Sequence, residues 1–144
     1  MNGVDFSHFF NNVKFSDVKF KVGDREFKGH RIVLSTASSK FATMFDRHPE
    51  ANHMFTITDI NDDIFELLLK CIYKNNNIDL FVISESVEQL LEASDKYRIH
   101  ELKYRCEEFL SHQLTQTNVT DFMTLADHCN AQKLKLKAFE FIKK

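Results

Sequence analysis

A chain of 144 residues with a single proline, Pro49, and only three glycines has few places to stop a helix or make a special turn. Glycine and proline are the strongest local breakers of regular structure. Their scarcity predicts a helix-dominated domain with short connections. The length suits one domain, and a domain of this size buries roughly 70% of the surface its unfolded chain exposes. The apolar share is unusual in kind, with 15 Phe and no Trp.

Charge and cysteine usage narrow the function classes. The net charge is −2, and no basic stripe of the sort that tracks a nucleic-acid backbone is visible. The C-terminal lysines Lys133, Lys135, Lys137, Lys143 and Lys144 read as a solvated helix end, where the dipole favours cations. Cys71, Cys106 and Cys129 are widely spaced, odd in number and set in apolar helical patterns. Free thiols in a reducing compartment are expected, and with them a cytoplasmic or nuclear location. The N-terminal stretch has no basic start and no long apolar run, so it is not read as a signal peptide. No apolar run approaches the ~20 residues that span a bilayer, and neither nucleic acid nor membrane is expected as a partner.

Hydrophobic periodicity changes along the chain. Phe6, Phe9, Phe10 and Val13 fall at i, i+3, i+4 and i+7, the stripe of a short opening helix. Val18, Phe20 and Val22 then alternate with Lys19 and Lys21, a strand with one wet face. Gly23-Asp24 fits a two-residue hairpin turn, with Arg25 to Phe27 returning as a second strand. Two short helices, around Ile32–Leu34 and Phe41–Phe45, divide near Ser38-Ser39. A loop from Asp46 to Asn52 precedes a third strand at Phe55 and Ile57. Asn61 is placed to cap a helix with Asp62 and Asp63 in its first turn. That helix is apolar on nearly every face, the signature of a buried centre. A short extended piece, Ile78 to Ile83, leads to stripes through Val87–Tyr97 and Ile99–Leu110. A final helical pair opens at Asn118 and runs through Phe122, Cys129, Leu134 and Ile142.

Catalytic patterns are missing. The seven histidines include no His-x-x-x-His or His-Glu-x-x-His pair, and no Cys-x-x-Cys occurs. His128 and Cys129 are adjacent and point to different sides of a helix. No glycine-rich loop is present to cradle a phosphate. The acid pairs Asp62/Asp63 and Glu107/Glu108 sit where caps or solvated helix faces are expected. No catalytic residue, metal ligand or cofactor is assigned, and no enzyme is expected.

One string of residues is more specific. Phe15-Ser16-Asp17-Val18, Val22, Phe27, Gly29-His30-Arg31, Leu34, Ser35, Ser39, Phe41 and Met44-Phe45 resembles the BTB (POZ) domain. The similarity continues through Asp59-Ile60, Phe65, Tyr73, the run Leu90 to Tyr97 and Leu102-Lys103. Residues 93–108 and 125–142 are similar to stretches of the speckle-type POZ proteins. The resemblance implies an α+β fold, a helical cluster flanked by a small three-stranded sheet. A BTB domain over residues 1–113 would carry an extra C-terminal helix pair, residues 114–144, like the extension that enlarges a cullin groove.

The resemblance also implies function. It points to a protein-interaction domain that homodimerises and binds the N-terminal region of the third cullin, as the substrate adaptor of a ubiquitin ligase. The alternatives are a pure dimerisation clamp and the co-repressor-binding domain of a transcription regulator. By resemblance, Phe6, Phe9, Phe10 and Val13 belong to the dimer interface, with Asp17 and Arg31 as a charged pair near its axis. The cullin-binding positions are His48, Pro49 and Glu50, where His replaces the Met- or Phe-like residue of the family motif, together with Tyr73, Tyr97 and Phe122. With only Met1 to Asp5 ahead of the first helix, no exchanged N-terminal strand is expected.

Overall fold

The computed structural model describes residues 5–144. The question of an exchanged N-terminal strand falls largely outside those residues. The sheet forms where the period-two pattern lies. Strand β1 (Val18–Val22) pairs antiparallel with β2 (Arg25–Gly29) and parallel with β3 (His53–Ile57), in the order β2-β1-β3. Gly23 takes φ +61° at the first position of the β1–β2 turn, a conformation that costs glycine little. The parallel β1–β3 pair requires a crossover. Helices α1 (Arg31–Ala37) and α2 (Ser39–Arg47) supply it.

Val18, Phe20 and Val22 turn to one face of the sheet and are fully buried. Phe20 meets Phe41, Phe55 and Phe65 at ring-centroid distances of 5.4, 6.0 and 5.3 Å. Phe65 belongs to α3 (Asp62–Tyr73), which is buried on most faces as its sequence predicts. The Asn61 side chain caps α3 by accepting the Ile64 N–H at 2.9 Å. Ser38 does two jobs at the α1–α2 junction. Its Oγ accepts the Phe41 N–H and donates to the Tyr97 carbonyl, which ties α2 to the end of α4 (Val87–Lys96).

Helix α5 (His100–Ser111) follows, then the expected pair α6 (Val119–His128) and α7 (Gln132–Lys143). Glu107 of α5 is buried, and its Oε1 accepts the Leu134 N–H at 3.0 Å in the first turn of α7. A carboxylate at a helix N-terminus satisfies an otherwise unpaired donor and suits the dipole. The pair is thereby seated on α5.

Two expectations are corrected. The opening helix is a single 3-10 turn, Ser7–Phe9. Asn11 and Phe15 have φ of +50° and +61°, and Asn12 Oδ1 takes the Lys14 N–H. Short polar side chains bonding to nearby backbone offer the chain an alternative to helix. Asn11 Oδ1 instead takes the free N–H of Lys28 on the β2 edge, at 2.8 Å. The extended piece Ile78–Ile83 is a series of turns that adds no strand to the sheet. Asn75 and Asn76 both adopt positive φ, and Asp79 Oδ1 captures the Phe81 N–H.

Gly29 is the tightest point of the sheet. A Cβ there would lie 2.9 Å from both Phe20 Cε2 and Val18 Cγ1. Both neighbours are locked in the core, so Gly29→Ala should cost about 1–3 kcal/mol, read as a lower midpoint in urea unfolding. An unchanged midpoint would contradict this packing. The three cysteines are also buried, and burial pushes their thiols up to about 12 for Cys71 and Cys106 and about 11 for Cys129. At pH 8 they are protonated and shielded, and the thiolate is the reactive form. A disulfide reagent such as Ellman's should titrate none of them in the native protein and all three in denaturant.

Candidate interaction surfaces

Helix α2 ends at Arg47, and His48 closes it by donating its N–H to the Phe45 carbonyl. Pro49 has no N–H to continue a helix and favours an extended residue before it. His48 has φ −135°. The chain then projects as an exposed loop, His48 to Asn52, before His53 enters β3.

The loop is anchored at its backbone. Arg31 Nη2 donates to the Glu50 carbonyl at 2.7 Å, and Asn52 donates to the Asp17 carbonyl at 3.0 Å. The Asp17 carboxylate accepts the Arg31 N–H at 2.8 Å, while Arg31 Nε reaches the Asp17 carbonyl at 3.3 Å. The Arg31 guanidinium also lies over the Phe45 ring, 5.1 Å from its centroid. Asp17 and Arg31 therefore tie together the start of β1, the start of α1 and the loop. The contact between them runs through backbone groups, and the guanidinium is spent on carbonyls.

Side chains converge on this anchored loop. The rings of His48 and His53 stack, with centroids 4.3 Å apart and planes 9° from parallel. Both rest edge-on against Phe55. Glu50 Oε2 lies 3.6 Å from His48 Nδ1 and 3.1 Å from His53 Nδ1. These three residues are the one group of three potential metal ligands among the described residues. His53 was overlooked in the sequence, although the spacing His-x-Glu-x-x-His was there to be read.

A second surface is apolar. Phe6, Phe9 and Phe10 lie partly buried against the core, while Val13 is exposed. The Phe6 N–H donates to the Tyr73 carbonyl at 2.6 Å, which holds the N-terminal segment on the end of α3. Phe9 packs against Phe15 and the His30 ring. Phe15 and Ile32 are 76% and 78% exposed, too open for side chains of that size to be part of the chain's own core. Phe6, Ile32, Val33, Ala37, Ile72 and Ile99 line an open cleft of about 720 Å³ beside this segment. The stripe expected to be a helix face is thus a folded-back segment, and Phe15 and Ile32 are its most exposed apolar neighbours. Pattern alone hid them, because Phe15 sits in a left-handed turn and Ile32 on the outer side of α1.

Three expected contact residues are withdrawn from the surface. Tyr73 is fully buried, and its Oη accepts the His30 N–H at 3.0 Å. His30 Nε2 lies 2.8 Å from the Lys14 carbonyl, which can only accept, so Nε2 carries the proton. Nδ1, 2.7 Å from Tyr73 Oη, then accepts the phenol's hydrogen. Tyr97 is buried under α2 and reaches Asp59 Oδ1 at 3.3 Å. Burial pushes both phenols upward from their ordinary range. Phe122 faces inward from α6 and belongs to the core. Tyr73 and Tyr97 are family-like in the sequence, and all three aromatics pack inside.

Neither surface brings a nucleophile together with a base and an oxyanion donor, the arrangement that a catalytic site needs. An exposed loop and an apolar face are what a protein-binding domain presents. No helix of the described residues is long and apolar enough to cross a membrane.

Known proteins agree with this outline. The family model of the BTB/POZ domain matches residues 6–114. Among solved structures, the BTB domain of zebrafish PATZ1 is similar at 22% identity and a TM-score of 0.59, over 68% of this chain and 77% of that one. The BTB (Tramtrack and Bric a brac) domain of human Gigaxonin is similar at 18% identity and a TM-score of 0.57, over 67% and 79%. At these identities the likeness speaks for the fold. BTB domains mediate protein–protein interaction and commonly homodimerise, and they are not catalytic modules. With the three-stranded sheet, its helical cluster and the matched residues in agreement, this chain belongs to the BTB/POZ family.

Proposed function

We propose that this domain homodimerises through its N-terminal apolar face and docks the N-terminal region of a cullin on the loop His48–Asn52, as the adaptor of a ubiquitin ligase. The observation that carries the adaptor reading is the loop itself. His48, Pro49 and Glu50, which resemble the family's cullin motif, stand exposed, and Arg31 and Asp17 hold the loop's backbone in place before any partner arrives. Preorganisation lowers the ordering cost of binding. The helix pair α6–α7, seated on α5 through Glu107, supports the same reading. So does the similarity of residues 93–108 and 125–142 to the speckle-type POZ proteins, which rests on those stretches alone. Tyr73, Tyr97 and Phe122 have no part in it.

The clamp reading is favoured by a different observation, the exposure of Phe15, which packs on Phe9, and of Ile32, which lines the cleft. Full burial of such a side chain is worth about 1.5–3 kcal/mol. Four of them across a two-fold axis would contribute on the order of 6–12 kcal/mol before association entropy is subtracted. A dimer is common to both readings, and cullin binding separates them.

Two measurements test the proposal. Sedimentation of the wild type should give a dimer at micromolar concentration, and Phe15→Asp with Ile32→Asp should give a folded monomer. A monomeric wild type would overturn the dimer. Calorimetry against a cullin N-terminal domain should show binding that Glu50→Ala weakens about tenfold, or ~1.4 kcal/mol. His48→Met should tighten it, because an imidazole fills an apolar pocket less well and is costly to bury when charged. Failure of both wild type and His48→Met to bind at tens of micromolar would leave the clamp.

A further inference from the structure

The loop carries a second arrangement that protein docking does not require. From the convergence of His48, Glu50 and His53 we infer a surface site for a divalent transition ion of the zinc type, held by two imidazoles and one carboxylate. The site stands whether or not the loop meets a cullin. Imidazole and carboxylate together suit zinc and its neighbours in the first transition row. Metal–ligand distances near 2.0–2.2 Å put the ligand atoms of a tetrahedral site about 3.3 Å apart. Glu50 Oε2 already lies 3.1 Å from His53 Nδ1 and 3.6 Å from His48 Nδ1. Three protein ligands would leave the fourth position to water, as in open zinc sites.

The surrounding structure favours such a site. The Glu50 carbonyl accepts from Arg31 Nη2 and from the His53 N–H, so the backbone between the ligands is fixed. His53 lies at the start of β3, in register with Val18 of β1. Phe55 supports both imidazoles from beneath. One adjustment is needed. The two ring planes are nearly parallel, and parallel rings cannot aim both lone pairs at one ion. His48 is the ring that turns, because its side chain is 49% exposed whereas that of His53 is 29% exposed. Without an ion, the two rings stack beside the Glu50 carboxylate.

The test uses the whole chain with Zn2+ in calorimetry and Co2+ as a visible-light probe. One ion should bind per chain at low micromolar concentration, and bound Co2+ should show the intense bands of a four-coordinate site. His48→Ala, Glu50→Gln and His53→Ala should each weaken binding at least tenfold and abolish those bands, with circular dichroism unchanged. His112→Ala and His128→Ala, which alter exposed histidines elsewhere, should change neither. Loss of Zn2+ binding in those two controls, equal binding by the three loop variants, or only the weak bands of hydrated Co2+ would overturn the site. Should His53→Ala disturb the strand, Glu50→Gln alone decides, since its carboxylate is exposed and its carbonyl is untouched.

Discussion

The contact on which the rest of this structure depends is the aromatic packing of Phe20 in the sheet against Phe65 in the central helix. Phe20 joins β1 to β3 through Phe55 and to α2 through Phe41. Phe65 joins the same cluster to Phe27 of β2 and to Tyr97 at the end of α4. Three strands and three helices therefore meet in one set of rings. A three-stranded sheet with helices against one face gains its stability from that face, and here Phe20, Phe27 and Phe55 fill it together with Val18, Val22 and Ile57. Rings packed at angled geometries and centroid separations of about 5–6 Å lie in the favourable range for aromatic pairs. This explains why a chain with no tryptophan carries so many phenylalanines.

The surfaces are arranged around that centre by a small polar frame. Asp17 and Arg31 link β1, α1 and the α2–β3 loop by backbone hydrogen bonds. His30 and Tyr73 link the same end of α1 to α3 and to the N-terminal segment. Apart from the exposed Arg31–Glu50 bond, the frame is buried or half buried, so those bonds are shielded from water and hold their geometry. The loop His48–Asn52 and the face containing Phe15 and Ile32 are thus displayed from one rigid support. A charged pair that sequence resemblance placed at a dimer axis acts, within one chain, as the bracket between those two surfaces.

The fold was legible where local signals were strong. Alternation at Val18, Phe20 and Val22 marked β1. Asn61, Asp62 and Asp63 marked the start of α3, and continuous apolarity marked its burial. The errors arose where asparagine and aspartate side chains bond to the backbone beside them. Asn11 and Asn12 stop a helix that the Phe6–Val13 spacing predicts, and Asp79 folds a segment that looked extended. The candidate site was half legible. The family position pointed to His48, Pro49 and Glu50, which the structure leaves exposed, whereas Tyr73, Tyr97 and Phe122, expected as contacts, lie inside. Periodicity says which residues share a face and does not say whether that face meets another element of the same chain. His53 was missed because it begins a strand, and its approach to His48 depends on a reversal between them, with Asn52 at φ +59°.

On the proposed function, one rigid core presents two distinct binding surfaces, an apolar one for a second copy and a loop for another protein. Hydrogen exchange followed at several protein concentrations tests it directly, because amide protection reports which segments are covered. Raising the concentration should slow exchange in residues 6–15 and 31–37, while residues 48–52 stay unchanged and the amides of β1 and α3 remain the slowest throughout. Concentration-dependent protection of residues 48–52, with none at residues 6–15 and 31–37, would contradict it.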